Sequence, residues 1–133
     1  MKIKKLRPHH LLCIEGFKGL GYSRDFVENM KMIISELKKG KKFIIVKGVD
    51  DICMRCPYCD GIECRNSYGL SVGDMDNNVM DRLGILENVE LDYSKIRKKI
   101  YRVFQKKNDL DGICDGCRWN SVCNFYRRFL III

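Results

Sequence analysis

Apolar residues recur at the spacing of an amphipathic helix in four stretches of the chain. These stretches are residues 8–18, 23–40, 76–83 and 95–107. Pro8 suits the first turn of a helix, and Ser23 and Ser94 are predicted N-cap residues for the second and fourth stretches. The pattern therefore predicts four helices, each with one apolar face that packs against a core.

Short apolar runs between these helices predict a small sheet. The clearest is Phe43-Ile44-Ile45-Val46, which is rich in β-branched residues, and a weaker run covers residues 88–91. We therefore predict an α+β fold that is mostly helical, with a short sheet, in one small domain over residues 1–133. No apolar run reaches the length of a membrane span.

Eight cysteines are far more than an ordinary domain of this length contains. The basic amino terminus is followed only by Leu11-Leu12-Cys13-Ile14 as an apolar run, which is too short for the hydrophobic region of a signal peptide. We therefore expect a cytoplasmic protein. Thiols stay reduced in that compartment, where clustered cysteines bind metal more often than they form disulfides.

Four of the cysteines lie within twelve residues at the spacing C-x2-C-x2-C-x4-C, namely Cys53, Cys56, Cys59 and Cys64. Two thiolates separated by two residues can bind one metal when the backbone between them turns tightly. Nearby proline and glycine residues suit such a turn. The spacing suits zinc held by four thiolates, and it comes within one residue of a bacterial iron–sulfur pattern. This central run predicts a metal site and leaves iron or zinc open.

A second cluster, C-x2-C-x5-C, contains Cys114, Cys117 and Cys123 and has no local fourth ligand. It resembles the cysteine trio of iron–sulfur sites in endonuclease-III-type glycosylases and in some RecB-type nucleases. In those nucleases the fourth ligand lies far upstream, which implies that Cys13 or Cys64 completes the site here. The resemblance covers about ten residues and does not extend to the enzymatic residues. The chain is therefore predicted to contain two cysteine-rich metal-binding loops.

Cys13 lies one helical turn after His9. A histidine and a cysteine at this spacing can chelate one metal, or the histidine can support a cluster from outside its ligand shell. An ordinary buried cysteine is the alternative. The simplest partition gives Cys13 and the C-terminal trio a 4Fe-4S cluster and gives the central run a second metal, with His9 as a further candidate ligand. The main competing partition exchanges Cys13 and Cys64.

The sequence predicts no part in a metal site for His10 or for the pair Asp50 and Asp51. His10 is predicted to point away from His9, towards the side of the helix that carries Ile14. Asp50 and Asp51 precede the central cysteines and could serve as acid–base groups or ligands of a hard metal. Because no third carboxylate is placed to join them, we predict that they occupy a solvent-exposed turn.

The formal net charge of +8 favours an acidic partner less than it first suggests, because it counts every cysteine as neutral. A zinc ion with four thiolates carries −2, as does a 2+ four-iron cluster with four thiolates, so two such sites reduce the charge to 8 − 2 − 2 = +4. The basic side of the last helix, which contains Lys95, Lys98, Lys99, Arg102 and Lys106, is typical of a solvated face. Nucleic acid is therefore not the favoured partner, and a redox or protein partner is expected.

A broader resemblance covers most of the chain and rests on four segments: Arg7-Pro8-His9-His10-Leu11-Leu12-Cys13, Gly16-Phe17-Lys18-Gly19-Leu20-Gly21-Tyr22-Ser23, Asp50-Asp51-Ile52-Cys53 with Cys56-Pro57, and Cys117-Arg118-Trp119. They resemble a small prokaryotic domain-of-unknown-function family whose members are described as predicted iron–sulfur proteins. The resemblance implies iron rather than zinc and names no reaction.

Together these features predict an iron–sulfur protein with one 4Fe-4S cluster, and with a second cluster or a zinc site, that transfers electrons, senses redox state or stabilises its own fold. The alternative from a different class is a zinc-stabilised module that binds nucleic acid or a protein. Whether the chain is an enzyme stays open. An enzyme would need an open position on a metal or a reactive thiolate, for which Cys13 beside His9 or His10 is the candidate.

Overall fold

A computed structural model describes residues 3–17, 19, 23–55, 72–111 and 113. Over these residues the chain forms an α+β fold with more helix than strand, as the apolar pattern predicts. The elements in chain order are β1 (Lys4–Leu6), α1 (His10–Gly16), α2 (Arg24–Lys38), β2 (Phe43–Ile45), a 3-10 turn (Cys53–Arg55), α3 (Val72–Leu83), β3 (Glu90–Leu91), α4 (Tyr93–Val103) and a second 3-10 turn (Lys107–Leu110).

The three strands form one sheet with β2 in the centre. β1 lies parallel to β2, with Leu6 opposite Ile45, and β3 lies antiparallel to β2, with Phe43 opposite Leu91. The parallel pair is joined through α1 and α2, because parallel strands need a long crossover connection. The parallel alignment also brings the carboxyl ends of β1 and β2 to the same edge of the sheet.

Helix α2 follows its sequence pattern closely. The backbone N–H of Phe26 donates to Oγ of Ser23 over 3.1 Å, so Ser23 is the N-cap residue. Met30, Ile33 and Leu37 are buried along one side. The helix is followed by Gly40 at φ +92°, a conformation that glycine adopts without the penalty of a side chain.

Helix α4 begins differently from the prediction. Its N-cap residue is Asp92, whose Oδ1 accepts the backbone N–H of Ser94 over 2.9 Å and the hydroxyl of Ser94 over 2.8 Å. Both residue types are good caps, but the extended backbone at Asp92 places the N-cap two residues before Ser94, and the helix begins at Tyr93. The predicted cap at Ser94 is therefore wrong.

The core lies where the helices cover the sheet. Its fully buried side chains include Leu6, Leu11, Ile33, Phe43, Ile45, Leu83, Ile100 and Phe104. At one side of this core, Glu15 of α1 joins α4: it accepts the hydroxyls of Tyr93 and Tyr101 and the Nε–H of Arg97. Burial, together with the Glu15 carboxylate, raises the pKa of Tyr93. Within the described ranges, every helix is too short or too polar to cross a bilayer.

Candidate metal centre

Polar side chains from three segments meet beyond the shared edge of β1 and β2. Arg7, His9 and His10 directly follow β1, Asp50 and Cys53 belong to the loop after β2, and Asp76 lies in α3. The loop after β2 returns to β1 in this region, where the backbone N–H of Asp51 donates to the carbonyl of Lys5 over 3.1 Å. Four of these polar residues are almost fully buried: the exposed fractions are 4% for Arg7, 8% for His9, 2% for Asp50 and 1% for Asp76.

Asp50 accepts hydrogen bonds from three other residues of the site. Its Oδ2 accepts the backbone N–H of Arg7 and Nδ1 of His10, each over 2.7 Å, and its Oδ1 accepts the backbone N–H of Cys53 over 2.9 Å. Burial alone would raise the pKa of Asp50, but His10 and the backbone N–H donors lower it to about 2. The prediction of a solvent-exposed turn is therefore wrong for Asp50. Its carboxylate is buried, and these three donors take the place of water around it.

Asp76 organises a second set of contacts. Its Oδ1 accepts the backbone N–H of His9 over 3.1 Å and Nδ1 of the same ring over 2.6 Å, and its Oδ2 accepts Nε of Arg7 over 2.8 Å. These partners hold the pKa of Asp76 below its usual range against the effect of burial. Burial, assisted by neighbouring His10 and Arg7, lowers the pKa of His9 to about 4 although Asp76 opposes the shift. His9 is thus neutral at pH 7 and donates from Nδ1.

Cys53 lies close to Asp50, Arg7 and His10. Nη1 of Arg7 donates to its Sγ over 3.7 Å. A ring nitrogen of His10, a carboxylate oxygen of Asp50 and Sγ of Cys53 all lie within 4.8 Å of one another. Burial and then the Asp50 carboxylate raise the pKa of the Cys53 thiol. A metal that binds this sulfur must therefore displace a proton, which makes metal affinity depend on pH.

The two histidines are neighbours rather than opposed. Their ring centroids lie 4.4 Å apart with an interplanar angle of 57°, so the prediction that His10 points away from His9 is wrong. His9 stands at the N-cap position, just before the helix begins at His10. Each ring is then held by a different aspartate, His9 by Asp76 and His10 by Asp50.

The structure brings together only part of the predicted ligand set. Cys53 lies in the group just described, and His9 lies next to it on Asp76. Cys13 is half-buried in α1 and packs against the core. The other six predicted ligands lie outside the described residues, so their roles stay predictions: Cys56, Cys59, Cys64, Cys114, Cys117 and Cys123.

Sequence reasoning missed four contributors to this site. Asp50 and His10 had a usable signal, since His10 directly follows the predicted ligand His9 and Asp50 lies three residues before Cys53. Arg7 lies in a recognisable motif, but nothing local shows that its guanidinium is buried. Asp76 had no signal at all, because it lies 69 residues from Arg7 and 67 from His9 and looks like any acidic residue in the first half of a helix.

The charges and donor atoms of the site suit a soft cation. Two buried carboxylates, Asp50 and Asp76, face one buried guanidinium, Arg7, and this leaves one negative charge that a cation would balance. Thiolate and imidazole donors favour zinc or iron over magnesium or calcium, which prefer oxygen ligands. The residues present therefore fit a metal ion, and the group formed by His10, Asp50 and Cys53 is a candidate metal-binding group.

Comparison with known proteins places the chain in a family but assigns it no chemistry. Residues 21–123 match the sequence model of a family described as "Protein of unknown function (DUF1284)". The matched segment contains Asp50, Cys53 and Asp76, whereas Arg7, His9 and His10 precede it. No curated protein and no solved structure gives a significant match. The predicted resemblance is thus confirmed at the level of a domain-of-unknown-function family, and its iron–sulfur description stays a prediction.

Proposed function

This protein belongs to the DUF1284 family, and we propose that it binds two metal centres, one of them an iron–sulfur cluster. In this proposal a single ion binds at Cys53 with the cysteines that follow it in the chain. A 4Fe-4S cluster binds Cys13 together with the C-terminal trio, Cys114, Cys117 and Cys123. The cluster transfers electrons, senses redox state or holds the two ends of the chain together.

The proposal rests on the polar groups that surround the sulfur of Cys53. A buried cysteine that serves only for packing behaves as a small apolar residue and needs no polar neighbours. Cys53 instead receives an N–H from the guanidinium of Arg7 and has an imidazole nitrogen within 4.8 Å. A guanidinium beside sulfur stabilises a thiolate, and a thiolate is the form that binds metal.

The spacing of these donor atoms favours one ion at Cys53 over a cluster. On a tetrahedral zinc ion, a nitrogen ligand and a sulfur ligand lie about 3.5 Å apart, so atoms within 4.8 Å reach such an ion after a small adjustment. Each iron of a four-iron cluster takes one protein ligand, and ligands on different irons are held farther apart. This supports the assignment of the cluster to the other set of cysteines.

The position of Cys13 supports its assignment to a separate site. It lies in α1 three residues after His10 and outside the group formed by His10, Asp50 and Cys53. The short helix α1 would then join the two centres. Among the described residues Cys53 forms no disulfide, which leaves its sulfur able to act as a ligand.

The test is to purify the full chain without oxygen and to measure iron, acid-labile sulfide and zinc per chain in single variants. We expect Cys53→Ser to lose the single ion and to keep iron and sulfide. We expect Cys13→Ser to lose iron, sulfide and the absorbance near roughly 400 nm while keeping the other metal. Met54→Leu, at the exposed residue beside Cys53, serves as the control and keeps both.

Two outcomes would reject the proposal. A wild-type chain that holds no metal under these conditions excludes metal binding altogether. Full metal and sulfide content in both cysteine variants shows that these residues are not ligands, and Cys13 is then an ordinary core residue.

A zinc-stabilised binding module is the second candidate, and the exposed basic side of α4 favours it. Lys95, Lys98 and Arg102 are exposed on α4, and Lys106 is exposed just after the helix ends. In this case the same assay returns zinc without sulfide. The chain then binds short nucleic acids with an affinity that falls steeply as salt is raised, because bound phosphates release counterions.

A further inference from the structure

We infer that His10 is a ligand of the metal at Cys53, through Nε2, and that Asp50 orients this ligand without binding the metal itself. The inference rests on the proposed function, because it specifies the coordination of the single ion. It replaces a purely cysteine site with a mixed site of one imidazole and thiolates.

Asp50 is poorly placed to be a ligand because its oxygens are already engaged. Oδ2 accepts two hydrogen bonds and Oδ1 accepts one, and two of the three donors are backbone N–H groups. A carboxylate has about four acceptor positions. Moving Asp50 onto a metal would leave the buried N–H groups of Arg7 and Cys53 without an acceptor, at a cost of about 1–3 kcal/mol for each group.

The same contacts prepare His10 to bind a metal. Asp50 acts as an acceptor, so the proton of the Asp50–His10 contact lies on Nδ1 of the ring. A neutral imidazole that is protonated at Nδ1 has a lone pair at Nε2. No residue within the described ranges donates a hydrogen bond to that nitrogen. Carboxylate–histidine–metal arrangements of this kind are usual for histidine ligands, because the carboxylate fixes the tautomer and the ring orientation.

His9 has a similar arrangement but a different role. Its Nδ1 contacts Asp76, and Asp76 also binds Nε of Arg7. The group whose donor atoms lie within 4.8 Å contains His10 and Cys53 and does not contain His9. His9 and Asp76 therefore hold the guanidinium of Arg7 against Sγ of Cys53.

The charge of the surroundings also favours an imidazole over a fourth thiolate. Asp50, Asp76 and Arg7 together carry one negative charge. A 2+ ion with four thiolates adds two more and leaves −3 in a buried region, whereas an imidazole in place of one thiolate leaves −2. Because buried charge without compensation is costly, the mixed site is the more stable arrangement. Three of the four central cysteines then suffice.

The test uses cobalt(II) as a probe of the ligands, in a full chain that carries Cys114→Ser and Cys117→Ser so that the C-terminal trio does not contribute. Cobalt is titrated without oxygen, and both its d–d bands and its thiolate charge-transfer bands are recorded. Its affinity is measured by competition with a chelator. This parent chain is compared with three variants made in it: His10→Ala, Asp50→Asn and the control Met54→Leu.

We expect His10→Ala to change the d–d bands and to weaken cobalt binding more than any other variant in the set. Asp50→Asn should weaken it by about 10–100-fold. The amide of asparagine can donate to Nδ1 of His10, which moves the ring proton to Nε2 and blocks that ligand atom. Met54→Leu, at the exposed residue beside Cys53, should leave the bands unchanged. Added imidazole should restore the parent spectrum in His10→Ala and not in Asp50→Asn.

The outcomes separate this inference from the proposed function. If the parent chain shows no thiolate-to-cobalt charge transfer, the proposed metal site itself is wrong. If the parent binds cobalt and His10→Ala binds it with the same bands and affinity, only the inference is overturned. A His10→Ala chain that fails to fold is recognised by circular dichroism. The decision then rests on the bands of Asp50→Asn, where parent-like bands and affinity overturn the inference.

Discussion

Single residues at the site carry charges that are rarely buried. Arg7 places its guanidinium between the Asp76 carboxylate and Sγ of Cys53. Burial alone would lower the pKa of Arg7, but Asp76 outweighs this effect and raises it. Removing one member of such a buried set leaves the others without a partner, so these residues depend on one another. The exposed pair between Arg24 and Glu28 has no such dependence.

His9 is expected to make the fold sensitive to acid. Its pKa is about 4 in the folded chain, against an ordinary value of 6.5. Between these pH values the unfolded chain binds a proton that the folded chain does not bind, so the free energy of unfolding falls as the pH is lowered. This stability is fully present above pH 6.5, and roughly 3 kcal/mol of it is lost by pH 4.

Urea unfolding at several pH values between 7 and 4 measures this effect. His9→Asn is the informative variant, because its amide can still donate to Asp76 and does not titrate. We expect the variant to lose less stability than the wild type over this interval. Equal losses would show that His9 is not the group responsible.

At the scale of elements, short-range hydrogen bonds decide where each helix begins. The sequence pattern predicts Ser94 as the cap of α4, whereas Asp92 caps it in the structure. Ser94 contributes its backbone N–H and its hydroxyl as donors to Asp92. Asp92 and Ser94 are both good cap residues, but only one residue can occupy the N-cap position of a helix. The backbone conformation decides between them.

Asp92→Ala is therefore expected to cost about 1 kcal/mol of stability. Ser94→Ala should cost only a few tenths of this amount, because its backbone N–H still reaches Asp92. Chemical unfolding of both variants checks the order, with Ser23→Ala at the cap of α2 as a positive control that also costs about 1 kcal/mol. A larger loss for Ser94→Ala than for Asp92→Ala would contradict the structure.

The pairing of β1 with β2 also brings the residues of the site together. β1 and β2 are each three residues long, yet their parallel register aligns the segment after Leu6 with the loop after Ile45. The backbone N–H of Val46 donates to the carbonyl of Leu6 over 3.0 Å, which extends the pairing to the edge. His10 and Asp50 thereby meet across 40 residues of sequence.

At the scale of the whole molecule, the fold combines a modest apolar core with buried polar groups that a metal would complement. If a metal binds at Cys53, its binding energy becomes folding energy, because the unfolded chain has no preformed site. Small domains commonly depend on such a contribution. Removal of metal by a strong chelator should therefore lower the Tm by more than about 10 °C.

Differential scanning calorimetry before and after chelation measures this change, with metal analysis of the same samples. The Cys53→Ser variant is the matched control and should lose less, because it lacks the central metal at the outset. An unchanged Tm in a chain shown to be free of metal would contradict the prediction.

The amino-acid sequence by itself predicted the helices, and it supplied the hypothesis that the chain binds metal. The cap and apolar stripe of α2 are local features, since residues three and four apart meet on one face whatever surrounds the helix. The four central cysteines likewise indicate metal binding through their own spacing. Strand β1 was not predicted, because Lys4-Lys5-Leu6 has too few apolar residues to stand out from a polar segment.

Only the tertiary structure decided which polar residues are buried and how they pair. Asp50 looked like part of a solvated turn and proved to be the acceptor for His10, Arg7 and Cys53. Asp76 reaches Arg7 across 69 residues. Local patterns record how apolar residues repeat along the chain, whereas a carboxylate can be buried only where distant segments bring it the hydrogen-bond donors that replace water.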